Sequence, residues 1–148
     1  MLKKNLRLII STFIVGILFG SLMSTVFAAT ATSNSKSIGP VNGYSYTNYA
    51  QISTDSGYIG ARTSISKVGT GNVPTGYMGS LARAYKDGAV CTETSMLYND
   101  EPLNGIGSSI VGHSGCGSGV YHSQGKTEVY NGNGYSTYYT NLTPNLNF

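Results

Sequence analysis

The chain predicts an all-β fold, an antiparallel β-sandwich or small barrel, behind an N-terminal secretory leader. Three observations lead there. Apolar and polar residues alternate with a period of two over several segments. Asp-Gly and Asn-Gly steps stand between those segments, where two-residue hairpins turn. Gly-Tyr occurs four times, at Gly43-Tyr44, Gly57-Tyr58, Gly76-Tyr77 and Gly134-Tyr135. A glycine closes a turn, and a strand-favouring aromatic opens the next element.

The elements follow in order. Lys3, Lys4 and Arg7 precede an apolar run over residues 8–27. Small residues end it at Val26-Phe27-Ala28 and again at Ala29-Thr30-Ala31. This layout predicts a signal peptide over residues 1–28, cut after Ala28, with Ala31 as the alternative. Left uncut, the run is long enough to cross a bilayer; membrane association is expected only in that case. Residues 29–42 are small and polar and read as a flexible arm. Residues 43–148 form the secreted domain.

Within it, Tyr44, Tyr46, Asn48, Ala50 and Ile52 share one face of a strand. Asp55-Ser56-Gly57 turns the chain, and Ile59, Ala61, Thr63 and Ile65 share a face of the next strand. Residues 69–76 are a Gly/Pro loop. Residues 77–86 fit either a short helix or a strand; Asp87-Gly88 decides for a strand returning over residues 89–98. Residues 100–119 hold Pro102 and six glycines and read as a long loop. Residues 120–130 and 135–140 make a last hairpin around Asn131-Gly132-Asn133-Gly134, and Pro144 ends regular structure before the tail.

The three leader bases carry the whole formal charge of +3, so residues 29–148 are neutral, with charges of both signs dispersed. Nothing in that pattern attracts nucleic acid. All twelve tyrosines lie beyond the leader, and there is no tryptophan. Tyrosine replaces missing aliphatic bulk, burying its ring while its hydroxyl stays wet or bonded.

Cys91 and Cys116 are the only cysteines. In an oxidising compartment such a pair is a disulfide. The loop it closes corresponds to about 3.5 kcal/mol of loop-closure entropy.

Catalytic candidates are few. His113 beside Ser114 is not a triad, which needs its base across space. Asp100 and Glu101 are neighbours in a loop, whereas glycosidase chemistry needs two carboxyl groups facing one bond. His113, Cys116, His122 and Glu93 would make a metal site only if the thiol were free, so neither metal nor cofactor is expected. The tyrosines Tyr130, Tyr135, Tyr138 and Tyr139 are the candidate ligand-binding residues. Rings with polar rims suit sugar faces or partner surfaces. Tyr135 and Tyr139 point one way and Tyr138 the other.

From residue 73 to 147 the chain resembles small secreted single-disulfide proteins of Gram-positive bacteria without assigned activity. The resemblance rests on Val73-Pro74-Thr75-Gly76-Tyr77-Met78-Gly79, Ala82-Arg83-Ala84-Tyr85, Cys91, Tyr98-Asn99, Cys116-Gly117-Ser118-Gly119, Ser123-Gln124-Gly125, Tyr130-Asn131-Gly132-Asn133-Gly134-Tyr135 and Pro144-Asn145-Leu146-Asn147. It implies secretion and paired cysteines, and supplies no catalytic residue. The chain is also similar to lactococcin-type bacteriocins, small secreted β-sandwich proteins acting at the cell wall; two cysteines and the lack of tryptophan set it apart from them.

The functional expectation is a monomeric extracellular protein, without catalysis, that binds cell-wall glycan or another extracellular protein. A bacteriocin-like toxin and a small secreted hydrolase using Asp100, Glu101 or His113 are the alternatives.

Overall fold

The computed structural model describes residues 28–55 and 57–148. The leader expected over residues 1–28 lies outside them apart from Ala28, as does Ser56 in the first expected turn. Every regular element among the described residues is a strand: β1 (Ala29–Thr32), β2 (Lys36–Val41), β3 (Tyr44–Asp55), β4 (Tyr58–Lys67), β5 (Met78–Leu81), β6 (Arg83–Lys86), β7 (Ala89–Glu93), β8 (Leu97–Tyr98), β9 (Gly105–His113), β10 (Val120–Ser123), β11 (Lys126–Tyr130), β12 (Tyr135–Tyr139) and β13 (Leu146–Asn147). No helix among these residues is long and apolar enough to cross a membrane.

One layer is a five-stranded sheet in the order β1-β3-β4-β9, with β2 also paired to β3. The other layer is two four-stranded sheets, β13-β10-β6-β7 and β12-β11-β5-β8. Among the described residues all pairings are antiparallel, and no sheet closes into a barrel. The sandwich is therefore the form adopted.

The two four-stranded sheets repeat one order, because each strand of the first continues into the second. β5 runs into β6 across Ala82, β7 into β8 across residues 94–96, β10 into β11 across residues 124–125, and β12 into β13 across residues 140–145. The in/out alternation runs unshifted through the two central breaks, β5–β6 and β10–β11, while the register slips in the two outer ones. Met78, Ser80, Ala82 and Ala84 are all buried, as are Tyr121, Ser123, Gly125, Thr127 and Val129. This layer is in effect one sheet with a sharp bend.

A bend costs ladder hydrogen bonds, and three threonines replace them in the same way. Thr94 donates its N–H to the Ala82 carbonyl (2.9 Å), while its hydroxyl accepts the Ala82 N–H (3.0 Å). Thr140 does this for Gly125 (3.1 and 3.1 Å), and Thr143 for Ser123 (3.0 and 2.9 Å). The groups satisfied are buried or nearly so, where an unpaired N–H is expensive.

The bend divides the core into two apolar clusters. One holds Ala31, Ile52, Ile59, Ala61, Ala84 and Tyr121, with Cys91 and Phe148 at its border. The other holds Ile38, Tyr46, Ile65, Val73, Met78 and Val129. Polar residues lie between them. Asn48 Nδ2 donates to Thr127 Oγ1 (2.8 Å), and Ser80 Oγ to the Thr63 carbonyl (2.8 Å). Asn48 Oδ1 and Thr63 Oγ1 are buried without a partner. Gly125 is required here: a Cβ on it would stand 1.7 Å from Thr63 Oγ1.

The hairpin at Asp87-Gly88 forms as expected, with φ of 49° and 85°. Three readings are corrected. Residues 29–42 are not a free arm: β1 and β2 pair along β3, and Ala31 and Ile38 enter the two core clusters. Residues 100–119 are not one loop, since β9 is the fourth strand of the first sheet. Its glycines hid a period-two pattern in which Ile106 and Ile110 pack toward the clusters. The tail is not irregular throughout: β13 pairs with β10, and the Phe148 ring meets Tyr121 edge-on at 5.5 Å.

Candidate functional site

β11 alternates Lys126, Glu128 and Tyr130 on its outer side with buried Thr127 and Val129. Its register with β12 sets Tyr130 opposite Tyr135, Glu128 opposite Thr137 and Lys126 opposite Tyr139. Six outward side chains thus form three cross-strand rows. On the other flank Glu128 opposes Gly79 of β5, and Gly79 opposes Tyr98 of β8. A Cβ on Gly79 would lie 2.8 Å from the Tyr98 ring. Glycine lets that ring cross β5 to reach β11.

The Tyr98 hydroxyl donates to Glu128 Oε2. Lys126 Nζ lies 2.7 Å from Glu128 Oε1, and the Thr137 hydroxyl donates to the same oxygen at 3.4 Å. Glu128 keeps only 13% of its side chain exposed. Burial alone would raise its pKa, but hydrogen bonds from Lys126 and Tyr98 outweigh it and hold the carboxyl below its ordinary value. The Tyr98 hydroxyl is pushed up to about 12, by burial first and then by its bond to Glu128. The carboxylate is therefore the ionised acceptor and the phenol the neutral donor.

Tyrosine rings surround this pair. Tyr98 meets Tyr135 at 4.8 Å, Tyr135 meets Tyr130 at 5.9 Å, Tyr130 meets Tyr77 at 5.0 Å, and Tyr77 meets Tyr44 at 5.8 Å. The rings are mutually tilted by 46–88°, so the surface is ridged rather than flat. The Tyr135 hydroxyl donates to the Gly76 carbonyl (2.8 Å) and that of Tyr130 to the Gly132 carbonyl (2.9 Å). Among the tyrosines of this face Tyr135 and Tyr139 are the most exposed, each at 44%. The same outer surface continues past the bend, where the Tyr85 and His122 rings stack at 5.0 Å and the Arg83 guanidinium lies 5.9 Å over Tyr85.

Of the four tyrosines singled out by sequence, Tyr130, Tyr135 and Tyr139 share this face. Tyr138 does not: it is half-buried against the second core cluster. Lys126 and Glu128 were legible in principle, four and two residues before Tyr130 on the same side of a strand. Tyr98 was not, because only its pairing over Gly79 brings it there.

The other candidates lie elsewhere. Cys91 and Cys116 form the expected disulfide. The loop after β9 is further held by the Tyr121 hydroxyl, which accepts the Cys116 N–H and donates to the Gly117 carbonyl. His113 Nδ1 accepts the Gly115 N–H (2.9 Å) beside that disulfide. Asp100 and Glu101 are exposed near the start of β9 and His113 sits at its end, eight residues along from Gly105. At ~3.3 Å per residue that is about 26 Å, too far for these groups to act on one bond. Among the described residues no three of His, Cys, Asp and Glu are grouped so as to hold a metal ion. No family model, curated protein or solved structure matches the chain.

Proposed function

We propose that this chain is exported and that residues 29–148 act as a non-catalytic binding module for a neutral glycan of the cell wall, engaged by the outer face of β11 and β12. The observation that carries this is the construction of that face. Exposed Tyr135 and Tyr139 offer rings for stacking on sugar faces, and between them stands a polar row whose charges cancel in the Lys126–Glu128 pair. The Tyr135 ring, held with neighbouring Tyr130 by hydroxyl bonds to backbone carbonyls, loses little entropy on binding. The near-zero net charge of residues 29–148 favours a neutral ligand over a polyanion at this face.

Export is supported by the disulfide, which oxidising compartments preserve. β1 begins at Ala29, so a cut after Ala28 leaves it whole. A cut after Ala31 would remove three of its four residues, including buried Ala31. The mature chain is therefore proposed to start at Ala29.

Retention of the secreted protein on purified peptidoglycan and on whole cells tests the binding. Wild type should be retained, and Tyr135→Ala or Tyr139→Ala should reduce retention about tenfold, the loss of one stacking contact of ~1–1.5 kcal/mol. Passage of wild type through both supports without delay removes the proposal.

A further inference from the structure

We propose a second site on the opposite side of the sandwich, a furrow in the five-stranded sheet that seats an extended acidic glycan with a carboxylate on Arg62. It is independent of the tyrosine face.

The furrow exists because the outward residues of β4 and β9 are small. Gly60, Ser64, Gly105, Gly107 and Ser109 leave hollows of about 220 and 330 Å³ on the two sides of Arg62, and a further 330 Å³ beyond Gly60. Its floor is hydroxylated. A Cβ on Gly60 would stand 2.6 Å from Ser53 Oγ, and one on Gly107 3.1 Å from Ser64 Oγ, so each glycine makes room for a neighbouring serine hydroxyl. Tyr58 and Tyr49 stand toward its two ends. From Tyr58 to Ser66 the groove runs about 26 Å along β4, the reach of a chain ligand rather than a single small molecule.

Arg62 is the charge in the middle. Its Nε donates to Ser64 Oγ at 3.2 Å, which orients the guanidinium. Among the described residues Arg83, Lys86 and Lys126 each have a carboxylate within 3.3 Å, whereas Arg62 has no ion pair. The carboxylate lining the furrow, Asp55, lies four residues along β3 from Gln51, the register partner of Arg62, or about 13 Å away. An anion on Arg62 is thus accepted without close repulsion. A planar guanidinium matches a carboxylate through two parallel hydrogen bonds. Gln51 and Ser109 flank Arg62 in register and supply donors and acceptors for neighbouring sugar hydroxyls. Serine hydroxyls and the Gln51 amide line the furrow together with apolar Ala61, Ile110 and Val111, a mixture that suits the hydroxyls and C–H faces of a sugar chain better than an acidic peptide.

The test uses the secreted protein with polygalacturonate as probe, and with dextran and polyglutamate as comparisons. Polygalacturonate should bind, and the other two should bind at least about tenfold more weakly. Arg62→Gln should lower polygalacturonate affinity about tenfold or more, the loss of a charge-assisted pair of bonds. Ser109→Tyr, which fills the furrow at an exposed position, should do the same with an unchanged unfolding midpoint. Lys67→Gln removes an equal charge outside the furrow and should stay within about twofold of wild type. The proposal is overturned if polygalacturonate does not bind, if Arg62→Gln binds like wild type, if Lys67→Gln loses as much, or if polyglutamate binds equally well. Peptidoglycan retention through Tyr135 is read in a separate assay, so either proposal can fail alone.

Discussion

Thr140→Val isolates the device that lets this sheet bend. In wild type the Thr140 N–H donates to the Gly125 carbonyl, and its hydroxyl accepts the Gly125 N–H at 3.1 Å. Valine keeps the shape and the backbone bond and removes only the acceptor. Gly125 is buried and Thr140 is 2% exposed, so no water replaces the lost oxygen. The cost is that of an orphaned buried N–H, about 1–3 kcal/mol. Valine's better strand propensity offsets a few tenths of a kcal/mol. A net loss of ~2 kcal/mol is a large share of the ~5–15 kcal/mol that holds a domain of this size. With a urea m-value of ~1.5 kcal/mol/M, the midpoint should fall by roughly 1.3 M. Thr140→Ser, which retains the hydroxyl, should recover most of this. Exposed Thr137→Val, on the strand that leads into Thr140, should stay within ~0.5 kcal/mol of wild type. A Thr140→Val midpoint equal to wild type, or a serine variant as weak as the valine one, would refute the idea that these hydroxyls replace ladder bonds.

Replacing both cysteines by alanine should cost ~3.5 kcal/mol in denaturant titration, yet leave the folded loop in place, because Tyr121 and the Gly119–Phe148 backbone pair still hold it; a near-UV dichroism spectrum unlike wild type would contradict this. Gly125→Ala should prevent folding or cost more than ~4 kcal/mol, since the new Cβ meets the Thr63 side chain on an opposing strand; a soluble variant of wild-type midpoint would show the contact to be yielding. In a spectrophotometric pH titration, Tyr46 and Tyr98 should ionise near 12, the first through burial and the second through burial and Glu128. A folded pKa raised above the ordinary 10.0 gives stability that is present below pH 10 and lost as pH rises toward 12, so unfolding should set in across that window. The depressed Glu128 carboxyl has the opposite sign: its contribution is present above its ordinary 4.5 and lost as pH falls through its folded value. Uniform ionisation of all tyrosines near 10 would contradict the first of these statements. N-terminal mass analysis of the secreted protein should find Ala29 first; a chain beginning at Thr32 would show that β1 is dispensable.

The features legible in the residues alone were local. Alternation in Tyr46-Thr47-Asn48-Tyr49-Ala50 and in Ile59-Gly60-Ala61-Arg62-Thr63 is fixed by the pleat, so the strands and their inward faces were legible. Asp87-Gly88 tolerates the positive φ that a two-residue turn requires, so its hairpin was legible too. The disulfide followed from a lone pair of cysteines in a chain expected to be exported. The remaining features depend on contacts between distant strands. β9 is built from Gly105-Ile106-Gly107, which local propensity assigns to a loop; β4 supplies the pairing and the cores bury the isoleucines. β1 and β2 look like a polar arm until β3 offers an edge to both. The bend depends on threonines that satisfy backbone groups 12 to 20 residues away. Tyr98 and Glu128 meet only because Gly79 stands between them. Backbone angles and pleat are written residue by residue, whereas burial and pairing belong to whichever distant strand arrives, and no local pattern encodes that arrival.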